Sequence, residues 1–134
     1  MTRIHRTSLA LGAIFALVVG TSLAQAHTSS FTIDRDAQLS DAGTFMTISG
    51  RITCGVAHEF FISVNVSQGD GQNGEGAGGS TSGTCLGTPQ LWEVQAQSFT
   101  GPFHRGRATV SAFAFTVGPD GTDETLIDRV VRLR

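Results

Sequence analysis

From residue 31 onward the chain alternates apolar and polar residues in steps of two, and helical periodicity is nearly absent. Such alternation places one side chain in the core and the next in solvent along a half-buried strand. Between Thr44 and Cys54, Met46, Ile48, Ile52 and Cys54 share one face, and Thr47, Ser49, Arg51 and Thr53 the other. Phe60, Ile62, Val64 and Val66 alternate with Phe61, Ser63 and Asn65, and Trp92, Val94 and Ala96 with Glu93, Gln95 and Gln97. From Arg107 to Val117 two apolar sets compete: Ala108, Val110, Ala112 and Ala114 against Phe113, Phe115 and Val117. Phe31–Arg35 and Leu126–Leu133 read as first and last strands. β-branched and aromatic residues concentrate in these runs, where they suit a pleated surface. Trp92 is the leading core candidate.

Turn chemistry separates the runs at Asp41-Ala42-Gly43, Gly101-Pro102 and Gly118-Pro119-Asp120-Gly121. Glycine supplies positive φ there and proline fixes φ near −65°. Six or seven strands at this spacing predict an all-β, antiparallel sandwich. The glycine-rich stretch 69–83, GDGQNGEGAGGSTSG, has no large apolar residue and reads as a mobile loop.

The first 26 residues are of another kind. Arg3 and Arg6 precede an apolar run, LALGAIFALVVG, and Ala24 and Ala26 form an A-x-A junction. The run falls short of the roughly 20 residues that a membrane-spanning helix needs, but suits the apolar helix of a signal peptide. The expected organisation is a signal peptide over 1–26 and one domain over 27–134. The product is secreted, and meets the membrane only through the signal peptide before cleavage.

That boundary changes the charge and the cysteine reading. Residues 27–134 carry seven arginines against eleven acidic residues, a net charge of about −4, with the arginines scattered along the sequence. Nucleic acid is therefore a poor candidate partner. Cys54 and Cys85, an even count in an exported chain, read as a disulfide.

Few motifs carry chemistry. Gly74 to Gly79 fits G-x-G-x-x-G, but the helix that would bind a pyrophosphate does not follow. His58-Glu59 begins H-E-x-x-H, but position 62 is isoleucine. Asp70 and Glu75, and Asp120, Asp123 and Glu124, lack the spacing of a calcium loop. No G-x-S-x-G or other nucleophile constellation occurs. The expectation is a non-enzyme. Cleavage after Ala26 would free the amine and imidazole of His27, a chelate suited to Cu(II), with His58 or His104 as a further ligand. Phe61, Phe113 and Phe115 become a candidate binding surface if they form one patch, and lose that role if the N-terminal strand covers them.

The stretches ISGRITC (48–54), FFISVNVSQ (60–68), GTCLGTPQLWEVQAQ (83–97) and FHRGRATVSAFA (103–114) together resemble small exported immunoglobulin-like proteins of high-GC Gram-positive bacteria. The resemblance implies an immunoglobulin-like sandwich and export, with no activity to carry over. It places the Cys54–Cys85 bridge at one end of the sandwich, fastening the glycine-rich excursion. The leading function is a secreted non-enzymatic binding or structural module whose partner is a protein, a surface or a small ligand. The alternative is an extracellular copper-binding protein using His27.

Overall fold

The computed structural model describes residues 28–69 and 74–134, all strand, turn or loop. The predicted signal peptide and its helix, with His27, lie outside the described residues. Eight strands follow in order: β1 Ser30–Ile33, β2 Asp36–Leu39, β3 Phe45–Thr53, β4 Glu59–Gln68, β5 Glu75–Thr84, β6 Gln90–Ser98, β7 Gly106–Gly118 and β8 Gly121–Leu133.

The expected immunoglobulin-like sandwich is not what forms. The strands make one sheet ordered β1-β3-β2-β8-β7-β4-β5-β6, and β6 pairs in turn with β3, so seven strands close into a barrel. The β3–β6 pairing runs antiparallel from Phe45↔Gln97 to Ile52↔Gln90. A sandwich and a barrel both bury one face of every strand, so alternation alone does not separate them. The separating fact is which distant strands pair. Closure also removes sheet edges, which sandwiches retain.

β1 and β2 lie along the same edge of β3, but the register slips by two residues between them, from Ile33↔Gly50 to Gln38↔Thr47. At that slip β2 swings onto β8 and pairs with it in parallel through Asp36↔Arg132 and Ala37↔Leu133. Arg129 on β8 reaches back across the β1 side, its Nη1 donating to the Ile33 carbonyl at 2.6 Å.

The alternating faces of β3, β4 and β6 point inward as their pattern predicts, with Met46, Ile48, Ile52, Phe60, Ile62, Val64, Val66, Val94 and Ala96 buried. Trp92 is 2% exposed, its Nε1 donating to the Thr32 carbonyl at 3.1 Å and its ring 5.5 Å from that of Phe31. On β7 the small set wins: Ala108, Val110, Ala112 and Ala114 face the interior and the phenylalanines face out. A narrow barrel filled by Trp92, Phe60 and Met46 leaves space opposite for little more than methyl groups, and small and large residues alternate to fit.

The glycine-rich stretch is largely not a loop. Residues 75–84 form β5, which pairs with β4 along its whole length, from Glu59↔Thr84 to Gln68↔Glu75. Its glycines admit close approach rather than mobility. A Cβ on Gly83 would lie 2.6 Å from Cζ of Phe60, and one on Gly79 would lie 2.5 Å from the Gln95 carbonyl oxygen. Toward β6 the ladder is short, with only Ala77↔Ser98 and Gly78↔Gln97 in register. Cys54, just past β3, and Cys85, just past β5, form the disulfide with Cα atoms 5.3 Å apart. Both half-cystines are buried. The bridge thus fastens one end of the barrel, the end where β7 and β8 turn.

Candidate functional site

The sequence Phe60-Phe61 at the start of β4 sends one ring inward and the next outward, because successive side chains on a strand point to opposite faces. Phe61 is 45% exposed. Its neighbours across the ladders are Phe115 on β7 and Ser82 on β5, while Ser63 sits between Phe113 and Ser80. Phe113 in turn faces the exposed Leu126 on β8. The Phe61 and Phe115 ring centroids are 6.5 Å apart and tilted by 41°, within the range of favourable edge-to-face contact. Phe61, Phe113 and Phe115 therefore share one outer face of β4 and β7, and β1, which pairs with β3, does not cover them.

These rings wall a shallow groove of about 410 Å³ whose other side is Ser80, Thr81 and Ser82 of β5. Among the described residues no arginine lines it. Glu59, opposite Val117, and Glu124, opposite Phe115, stand at its margin. The groove thus offers aromatic faces on one side and hydroxyls on the other, with acidic groups at the rim. The β5 hydroxyls went unseen in the sequence because the stretch read as a loop. The alternation Ser80, Ser82, Thr84 was the available signal.

The histidines behave differently. His58 is buried, with Nε2 2.8 Å from Oδ1 of Asp120 and Nδ1 3.3 Å from the Val56 carbonyl oxygen. Both ring nitrogens are engaged. His104 is exposed, and its backbone is held at the far end of β4 by Gln68, whose Oε1 accepts from the His104 amide at 2.8 Å and whose Nε2 donates to its carbonyl at 2.7 Å. Ten strand residues separate the two positions, roughly 30 Å at about 3.3 Å per residue. His58 and His104 are not brought together. Among the described residues no group of three or more His, Cys, Asp or Glu converges on a metal-sized site.

The other carboxylates singled out in the sequence make local contacts. Asp123 Oδ2 accepts from the Thr28 amide at 3.1 Å. Glu75 accepts from the Thr100 hydroxyl, and from the Gly101 amide at 2.6 Å. These two bonds, the Thr100 hydroxyl foremost, hold its carboxyl below the usual glutamate range, since hydrogen bonds to the charged form favour it. Asp70 lies outside the described residues.

No curated protein and no solved structure matches the chain. A family model does match, over residues 27–123, and the immunoglobulin-like resemblance finds no support beside it. With most of its length covered by that match, the chain belongs to the family of unknown function DUF6299.

Proposed function

We propose that the protein is an exported, non-enzymatic binding module that engages its partner through the outer face formed by Phe61, Phe113 and Phe115. The observation that carries this reading is the gathering of the three rings, with Leu126, onto one outer face that no described strand covers, beside a hydroxyl-lined groove. Contiguous apolar patches on a soluble surface mark contact sites. The absence of arginine in the groove favours an uncharged, flat or apolar partner surface over an anionic one. Export is supported by the A-x-A junction before His27, by the family match beginning at residue 27, and by the disulfide, which is compatible with an oxidising compartment. The non-enzymatic reading rests on the lack of a G-x-S-x-G or other nucleophile constellation in the sequence. The copper alternative needs His27 and one further histidine; His58 is buried with both ring nitrogens engaged, so His104, which is exposed, is the better placed of its two candidates.

The test is titration with Nile red, an uncharged apolar dye, on the protein and on Phe61→Ser and Phe115→Ser variants. The expected result is a saturable fluorescence increase that each variant weakens by about tenfold, with far-ultraviolet circular dichroism unchanged. An identical response from the variants, or no saturable response, overturns the assignment of this face.

A further inference from the structure

Arginines that are scattered in the sequence are gathered by the fold. Arg35, Arg107, Arg132 and Arg134 line one groove of about 420 Å³, with Asp36 and Val130. Arg107 on β7 stands directly opposite Arg132 on β8, and Arg132 stands opposite Asp36 on β2. The Arg132 amide donates to the Arg35 carbonyl at 2.8 Å, which brings a third arginine alongside. The groove lies at the end of the barrel away from the disulfide.

Like charges directly opposite one another on a sheet face are destabilising. Compensation within the groove is slight. Asp36 takes Nε of Arg134 at 3.0 Å, and Arg35, Arg107 and Arg132 form no ion pair among the described residues. Four guanidinium groups against one carboxylate give a local excess of positive charge in a domain whose overall charge is negative. Guanidinium forks match the oxygens of a phosphate, two donors at a time, and adjacent forks can share one tetrahedral anion. Val130 supplies an apolar side to the groove, where the attraction is screened less than in open water.

We propose that this groove is an anion site for the phosphate group of a mono- or diester, with Arg107 and Arg132 as its paired forks and Arg35 and Arg134 flanking them. It is separate from the aromatic groove, with which it shares no lining residue. Its success or failure is therefore independent of the reading given above.

The experiment follows the arginine Nε–Hε resonances of the ¹⁵N-labelled protein during titration with inorganic phosphate and with glycerol phosphate, at ionic strength held constant with chloride. Phosphatidylglycerol vesicles are tested in parallel by co-sedimentation. Arg107→Gln and Arg132→Gln are the variants. The expected result is saturable shifts at Arg107 and Arg132 with at least one phosphate probe, weakened about tenfold or more in each variant. The variants should melt no lower than the parent without ligand, because each relieves a like-charge pair. Sedimentation with vesicles without response to the soluble phosphates would assign the site to lipid headgroups. Response to the soluble phosphates would assign it to free phosphate compounds. Equal response in parent and variants, including equal thermal stabilisation by phosphate as a general salting-out ion, overturns the proposal, as does no saturable response to any probe.

Discussion

His58 Nε2 lies 2.8 Å from Oδ1 of Asp120, so the residue just before β4 is pinned to the turn between β7 and β8. The histidine is buried while the carboxylate is partly in solvent. Asp120→Ala leaves the Nε2 side of a buried imidazole without this acceptor. A buried polar group deprived of its partner costs about 1–3 kcal/mol. The expected outcome is a urea midpoint lowered accordingly, followed by the fluorescence of the single buried tryptophan, Trp92. An unchanged midpoint would mean that the pairing contributes nothing.

Cys54 and Cys85 close a loop of 31 residues. Chain-entropy arguments give roughly 3.5–4 kcal/mol for such a loop, and native bridges in small domains contribute about 2–5 kcal/mol. Cys85→Ser should lower the melting temperature by several degrees, and reduction of the parent protein should produce a shift of the same sign. Equal melting of the oxidised parent and the variant would contradict this.

Glu75 is held below the ordinary glutamate range by the Thr100 hydroxyl and the Gly101 amide. A group whose folded-state affinity for protons is depressed stabilises the fold above its unfolded pKa. That stability is lost as pH falls below about 4.5 and through the folded value. Thermal unfolding between pH 6 and pH 3 should therefore fall more steeply for the parent than for Glu75→Gln. Parallel curves would show that the carboxylate is not coupled to folding.

Phe60 and Phe61 are neighbours in sequence with opposite placements. Phe60→Ala should cost about 3–5 kcal/mol, the range for emptying a core aromatic site. Phe61→Ser, at a half-exposed position, should cost about 1 kcal/mol, mostly its contact with Phe115. Denaturant midpoints of the two variants check the order, and comparable losses would refute the inward and outward assignment.

Gly83→Ala distinguishes a packed strand from a loop. The added methyl meets the Phe60 ring at 2.6 Å, and overpacking of this kind costs about 1–3 kcal/mol. A loop would accept alanine with no loss, or gain stability. The denaturation midpoint of the variant reads the sign directly.

The strands whose inner faces are large and apolar were legible in the sequence. β3, β4 and β6 follow their alternation within a residue or two, and Trp92 is buried as expected. Two strands were not. β2, Asp36-Ala37-Gln38-Leu39, is short and carries only two apolar residues, and its place depends on the slip against β3. β5 is read as a loop because local propensity disfavours glycine in strands, whereas its neighbours Phe60 and Val94 fill the volume that its own side chains would occupy. On β7 the apolar set that faces inward is the smaller one, a choice made by the space left inside rather than by hydrophobicity. Phe61, Phe113 and Phe115 were nameable from sequence. Their convergence was not, since it requires the β4–β7 register. The arginine groove was wholly hidden, because its members come from three stretches far apart in sequence, at Arg35–Asp36, at Arg107 on β7 and from Val130 to Arg134.

A closed ring of strands must return to its starting direction after one circuit, so it holds an even number of direction reversals. Seven strands cannot alternate all the way round, and one neighbouring pair has to run the same way. Here that pair is β2 with β8. The mismatch falls at the junction of the earliest strand in the ring and the last, so the barrel cannot finish closing until β8 has been made. The residue after β8 acts as its latch: Arg134 donates its amide to the Ala37 carbonyl and accepts from the Leu39 amide, at 2.9 and 2.8 Å.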